Sequence, residues 1–172
     1  MENLIIFDLD GTLYQFKEGN FVSSRFYQEI KRKAYNFLSE TLKISLEQAI
    51  ELYQQINKDF NGEISLGVER RCNIDRYHYF ANTWNLDPKD FIQKNDLLLL
   101  IKPLRYRITF LTSAPKIWAA SVLTYFNLRE YLPSLYTGES DIRKPNILAF
   151  QQIYKDFSFP CLISLFTKSI PW

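Results

Sequence analysis

The sequence predicts a parallel α/β sheet with helices on its faces, interrupted after the first strand by a block of helices. Three observations predict it. Short, continuous apolar runs at residues 4–7 (LIIF), 107–112 (RITFLT) and 161–166 (CLISLF) are typical of strands buried on both faces. Between them, apolar residues recur at helical spacing. The order strand, helical block, strand, helix, strand, helix, strand lets neighbouring strands run parallel.

Taken in order, Leu4–Phe7 is the first strand and Gly11-Thr12 punctuates its end. From about residue 24 to 42, Phe26, Ile30, Ala34, Phe37 and Leu38 form one helical stripe, with Lys31, Arg32 and Lys33 largely between them. Ser45 with Gln48 makes a capping box for a second helix, which carries Leu46, Ala49, Ile50, Tyr53 and Ile56 and ends at Asn61-Gly62. Residues 61–71 (NGEISLGVERR) read as a surface loop, one that could offer Arg70 or Arg71 to a ligand. Ile74, Tyr77, His78, Ala81 and Trp84 suggest a third helix, closed by Asn85 and Pro88. The second strand, 107–112, ends in hydroxyl residues; Ser113 and Pro115 open a helix to about Phe126. Residues 135–137 are a weak third strand, Pro145 begins a helix to about Lys155, and 161–166 is the fourth strand.

The length of 172 residues suits one domain, or one core domain carrying an insertion. With 47% hydrophobic and 23% charged residues the chain is globular rather than disordered. A net charge of +2 does not call for a polyanionic partner, and Lys31-Arg32-Lys33 reads as a solvated helix face, so no nucleic-acid partner is expected. Cys72 and Cys161 are too few and too far apart for a zinc site or a disulfide framework and read as idle thiols of a reducing compartment. Asp8 and Asp10 interrupt the first apolar run, which leaves no signal peptide, and residues 97–101 are far too short to span a bilayer. No membrane association and a cytoplasmic location are the expectations.

The chemistry gathers where strands end, which is where open α/β sheets bind ligands. Asp8 and Asp10 follow the first strand, and two carboxylates so close repel unless a cation or proton relieves them. Their hard oxygens suit Mg²⁺; a carboxylate there can also act as a nucleophile while its neighbour moves a proton. A solvated Asx-turn is the plain alternative. Thr112 and Ser113, with adjacent backbone N–H groups, could bind a phosphoryl oxygen, or Ser113 could simply cap the helix. Lys144, in RKPN, could neutralise charge shared by a carboxylate and a phosphate. His78, the only histidine, lacks a visible partner; Trp84, Trp118 and Trp172 read as packing residues, and Tyr14 as facing the core or a hinge.

On DLDGTLY, ITFLTSA and RKPN, in that order, the chain resembles the haloacid dehalogenase-like (HAD) superfamily of phosphotransferases and hydrolases. The resemblance covers the chain to Lys144 and a little beyond. It implies a Rossmann-like parallel core from residues 1–16 and 96–172, with a helical cap at 17–95 most similar to that of the pyrimidine 5′-nucleotidase type. It implies an Mg²⁺-dependent phosphomonoester hydrolase acting on a small phosphorylated metabolite or nucleoside monophosphate. Asp8 would attack phosphorus and ligate Mg²⁺; Asp10 would be general acid/base, its main-chain carbonyl on the metal. Thr112 would hold a phosphoryl oxygen, and Lys144 would steady the nucleophile and the transferred group.

One family feature is not matched. An acidic fourth motif should follow the last strand and complete the Mg²⁺ site, but Phe166 is followed by Thr167, Lys168 and Ser169, and no Asp or Glu occurs after Asp156. Losing a charged ligand weakens an Mg²⁺ site, and an inward Lys168 would compete with the metal for Asp8. The last strand–helix unit of the core is expected to be missing, by truncation or a frameshift, unless the chain is an active enzyme whose last ligand comes from elsewhere. Such a loss would leave an uncapped sheet edge open to self-association. The alternative to an enzyme is then an inactive relic, or a phosphate-binding module that keeps the fold.

Overall fold

The first strand of the chain lies inside the sheet, with a neighbour on each side. In the computed structural model, which describes residues 4–93, 101, 106–157 and 163–166, Leu4–Phe7 forms β1 with all four residues buried. Arg107–Leu111 forms β2, Leu135–Tyr136 β3 and Ile163–Phe166 β4. All pairings are parallel, in the order β3-β2-β1-β4. Phe7 stands level with Phe110 of β2 and Phe166 of β4. Parallel strands in this register finish together, so Asp8 and Thr112, one residue apart in level, both emerge at the carboxyl end of the sheet.

Strand alternation sends successive side chains to opposite faces. Leu4 and Ile6 pack with Leu111, Ala149 and Ile153, the last two from the helix Ile147–Phe157. Phe7 meets Phe110 at 6.0 Å between centroids, and Phe110 meets Tyr131 of the 3₁₀ turn Arg129–Ser134 at 5.7 Å. The helix Lys116–Tyr125 begins after Pro115 and buries Trp118, Ala119, Val122 and Leu123. The chain is thus an α/β protein with a Rossmann-like parallel sheet.

The residues divide into two compact units, 1–24 with 87–172, and 25–86. Residues 17–24 and 87–93 lie with the sheet, whereas the sequence grouped them with the helical block. Their main chains explain it: Lys17 N–H donates to Phe91 O at 2.9 Å, Gln93 N–H donates to Gln15 O at 3.3 Å, and Phe16 bridges to Ile92. Lys17 Nζ adds bonds to the carbonyls of Lys89 and Asp90.

The second unit is all-helical and has its own core. In chain order its helices are α1 (Arg25–Leu42), α2 (Leu46–Asp59), α3 (Ile64–Cys72) and α4 (Arg76–Thr83). The sheet unit adds α5 (Pro88–Phe91), α6 (Lys116–Tyr125) and α7 (Ile147–Phe157). The buried residues of α1 are the five of the expected stripe, and the Ser45–Gln48 capping box forms in both directions. Each residue of the basic cluster has a partner within the unit: Lys31 lies over the Tyr27 ring, Arg32 pairs with Glu29, and Lys33 donates to Asn85 O.

Residues 64–72 are helix where the sequence reading had a loop. Gly67 accounts for the difference, since a Cβ there would stand 2.3 Å from Ile56 Cγ2 and 2.8 Å from Phe60 Cδ2. What looked like a loop glycine is the close contact between two helices. No helix among the described residues is long and apolar enough to cross a membrane. Cys161, residues 167–169, where an acidic motif was expected, and Trp172 lie outside the described residues, and so does the segment on which the expectation of a missing strand–helix unit bears.

Candidate functional site

After Phe7 the chain leaves the sheet with its alternation intact. Leu9 turns into the core at 1% exposure, which puts Asp8 and Asp10 on the opposite side together. Gly11 then takes φ 75°, a left-handed conformation that a side chain would resist, and Thr12 and Leu13 N–H groups both donate to Leu9 O. This turn brings Thr12 and Tyr14 back onto the carboxylates that precede them.

Asp8 accepts from Thr12 Oγ1 on Oδ2 at 3.0 Å and pairs with Lys144 Nζ on Oδ1. The two charged side chains are 14% and 18% exposed, so neither would be stable there without the other. Lys144 reaches Asp8 on a loop anchored to the sheet. Gly138 N–H donates to Ala114 O at 2.9 Å, and the glycine lies so close to Ser113 that a Cβ would fall 1.9 Å from Ser113 O. Arg143 Nη1 donates to the carbonyls of Gly138 and Ser140, and Asn146 N–H donates to Arg143 O. The Lys144–Pro145 peptide is cis, and α7 starts at Ile147, two residues after the proline that was expected to open it.

Among the described residues no cation pairs with Asp10. Its carboxylate accepts from Thr112 Oγ1 on Oδ2 at 2.8 Å, and on Oδ1 from Trp118 Nε1 at 3.0 Å and from the Tyr14 hydroxyl. Trp118 Nε1 also lies 2.9 Å from the Tyr14 oxygen. Burial raises the Asp10 pKa above the ordinary aspartate range; the three donors pull it partly back, and the Asp8 charge adds to the rise. Tyr14 is held well above the usual phenol value by burial and by the Asp10 charge, and so it stays a donor.

Thr112 is fully buried. Its N–H donates to Tyr136 O, and its hydroxyl accepts from Ala114 N–H while donating to Asp10. Ser113 lies half-buried next to it, and the position capping α6 is Pro115. The structure therefore brings Asp8, Asp10, Thr112, Ser113 and Lys144 to the carboxyl end of the two central strands. Sequence reasoning missed three contributors: Tyr14, read as facing the core or a hinge, Trp118, read as a packing residue, and Gly138. The i, i+4 spacing of Tyr14 from Asp10 was the only available signal.

The remaining candidates lie elsewhere. His78 is exposed on α4, where its ring meets Phe37 edge-on at 5.3 Å. Arg71 pairs with Asp59, Arg70 is exposed on α3, and Trp84 packs against Phe26 and Phe80. Among the described residues no group of three His, Cys, Asp or Glu side chains converges as a metal cage would. Asp156, the last acid of the sequence, accepts from Tyr136 OH at 2.7 Å and from Gln152 at 2.8 Å. Among the described residues the hard carboxylate oxygens at the site are those of Asp8 and Asp10, and the Asp10 pair is already taken up by three donors. That set suits a cation that keeps most of its water, as Mg²⁺ does with one or two carboxylates and a substrate phosphate.

The sequence model of the haloacid dehalogenase-like hydrolase family matches residues 2–160. No curated protein matches the chain. Among solved structures, a Clostridium difficile protein described as a phosphatase is similar at 17% identity and a TM-score of 0.52, over 95% of this chain and 76% of that one. A Thermotoga maritima protein described as a β-phosphoglucomutase is similar at 14% identity and a TM-score of 0.49, over 95% and 74%. At 17% identity the likeness to the Clostridium difficile protein is one of fold.

Two outcomes are expected. Gly138→Ala should lower stability by about 1–3 kcal/mol in urea unfolding, because main chain has to move to admit the methyl; an unchanged midpoint would mean the loop has room to shift. An acid whose pKa is higher in the folded state holds its proton more tightly there, so stability falls as pH rises from the ordinary aspartate value through the raised one. Melting temperatures of the parent should therefore decline relative to Asp10→Asn across that window, whereas parallel curves would contradict the burial of the Asp10 charge.

Proposed function

The chain belongs to the haloacid dehalogenase-like hydrolases, and from that premise we propose that it is an Mg²⁺-dependent phosphomonoester hydrolase acting through an aspartyl-phosphate on Asp8. The observation that carries this reading is the different treatment of the two carboxylates. Asp8 is paired with the Lys144 ammonium and bonded to the Thr12 hydroxyl, which hold its carboxylate in place as a nucleophile. Asp10 has neutral donors and a raised pKa, which suit a group that gives up and regains a proton.

In the first half-reaction an Asp8 carboxylate oxygen attacks phosphorus in line with the leaving oxygen. The P–O bond to the leaving group breaks, and that oxygen takes a proton from Asp10. In the second, Asp10 takes a proton from water, whose oxygen attacks phosphorus; the bond to Asp8 breaks and phosphate departs. Lys144 offsets the charge of Asp8 and of the transferred group. Ser113 and the main-chain N–H groups after β2 face the phosphoryl oxygens, with Thr112 exchanging its bond to Asp10 for one to phosphate. The Asp8 carboxylate and Asp10 carbonyl would hold Mg²⁺, which supplies positive charge against the phosphoryl oxygens. The helical insertion is assigned as the cap, and a nucleoside monophosphate or another small phosphorylated metabolite as substrate, with the pyrimidine 5′-nucleotidase type as the subfamily.

A second reading, a phosphate-binding module without turnover, draws on the observation that no third acid joins Asp8 and Asp10 among the described residues. Hydrolysis of p-nitrophenyl phosphate with Mg²⁺ separates the two. The first reading expects turnover that Asp8→Asn lowers at least about a thousandfold. Turnover indifferent to Asp8→Asn would refute it, and phosphate binding without turnover in the parent would establish the second.

A further inference from the structure

A carboxylate offers four acceptor directions, two on each oxygen. At Asp10 they are unequally filled. Both directions of Oδ1 are taken, one by the Tyr14 hydroxyl and one by Trp118 Nε1 at 3.0 Å. Oδ2 has one donor, Thr112 Oγ1 at 2.8 Å, so one direction stays open among the described residues. The three donors come from three separate places: the turn after β1, helix α6 and the end of β2. Rotating the carboxylate would break bonds to at least two of them.

Tyr14 and Trp118 are 2% and 0% exposed, so water cannot replace either one as a donor to Asp10. A buried donor or acceptor left unpaired costs more than the net worth of its bond, and the arrangement is accordingly stiff. The rings are fixed independently of their polar atoms. Tyr14 meets Phe16 edge-on at 5.6 Å and stacks near Phe126 at 6.4 Å. Ring packing and polar contact can therefore be separated experimentally, by removing the hydroxyl alone.

We propose that Tyr14 and Trp118 are positioning residues that saturate Oδ1 of Asp10 and thereby fix Oδ2 as the oxygen that exchanges protons with the leaving group and with water. The inference rests on the reading of Asp10 as the acid/base of phosphomonoester hydrolysis. In the forward step the P–O electron pair goes to the leaving oxygen, the proton on Oδ2 goes with it, and a bond from Asp8 to phosphorus replaces the one broken. Asp10 is left ionised, with its charge shared between Tyr14 and Trp118 once Thr112 has turned to the phosphate. Without the clamp the same carboxylate could turn either oxygen to the substrate, and the proton would often be misplaced.

The test compares p-nitrophenyl phosphate with phenyl phosphate. The two are close in shape, but unsubstituted phenolate is a far poorer leaving group and depends more on protonation. Values of kcat/KM report the steps through phosphoryl transfer to Asp8. In Tyr14→Phe, kcat/KM should fall about tenfold further on phenyl phosphate than on p-nitrophenyl phosphate, with the KM for each near the parent's. Trp118→Phe should shift in the same direction; if it does not fold, Tyr14→Phe carries the test by itself. An equal loss on both substrates, or no loss on either, while turnover still depends on Asp8, would overturn the positioning role alone. Turnover that survives Asp8→Asn, or absent turnover in the parent, would overturn the catalytic reading and the positioning role with it.

Discussion

Two carboxylates separated by one residue at the end of a buried strand repel each other, and much of the sheet unit is arranged around relieving that repulsion twice, by different means. Asp8 is answered by a full positive charge, Lys144, brought from 136 residues later in the chain. Asp10 is answered by neutral donors, two of them more than a hundred residues away. The difference is consequential. A cation beside Asp10 would hold it ionised, whereas neutral donors in a buried setting leave both protonation states within reach. The close approach of Gly138 to Ser113, the Arg143 contacts and the parallel register of β1 with β2 all keep these two environments apart while holding the carboxylates close.

The polar chain through Thr112 shows how main-chain structure reaches the site. Ala114 N–H donates to the Thr112 hydroxyl, which donates to Asp10, so the start of the segment leading into α6 is linked through one hydroxyl to a carboxylate in the turn after β1. Hydrogen bonds in series polarise one another in the same sense. One hydroxyl thereby orients Asp10 and closes the turn after β2, and full burial leaves it no water to compete.

Much of this was legible in the sequence. Strands β1, β2 and β4 were visible as apolar runs between helical patterns, and Asp8, Asp10, Thr112, Ser113 and Lys144 stood out as polar residues at strand ends or before a helix. What stayed hidden shares a physical cause. Tyr14 and Trp118 are mostly ring, and a buried ring looks the same in sequence whether or not its one polar atom has a partner. Gly67 and Gly138 matter through the absence of a side chain against a neighbour distant in sequence, and no local pattern records such a contact. The zipping of residues 15–17 to 91–93 is also non-local, and it moved the edges of the helical block inward from both sides.

That zipping bears on how the sheet assembles. The first two strands are about a hundred residues apart in sequence, a separation that normally makes pairing slow because a long loop must close first. The helical unit is stitched by nearer contacts, and Phe26 and Trp84, close to its two ends, touch at 5.6 Å. Once that unit has formed, the loop still to be closed is less than half as long, and the entropic saving is on the order of 1 kcal/mol. Phe16 and Ile92 then join next to the same crossing, one further step towards β1 and β2. The insertion consequently acts as a short turn in the conformational search, although in residue count it is among the larger parts of the chain.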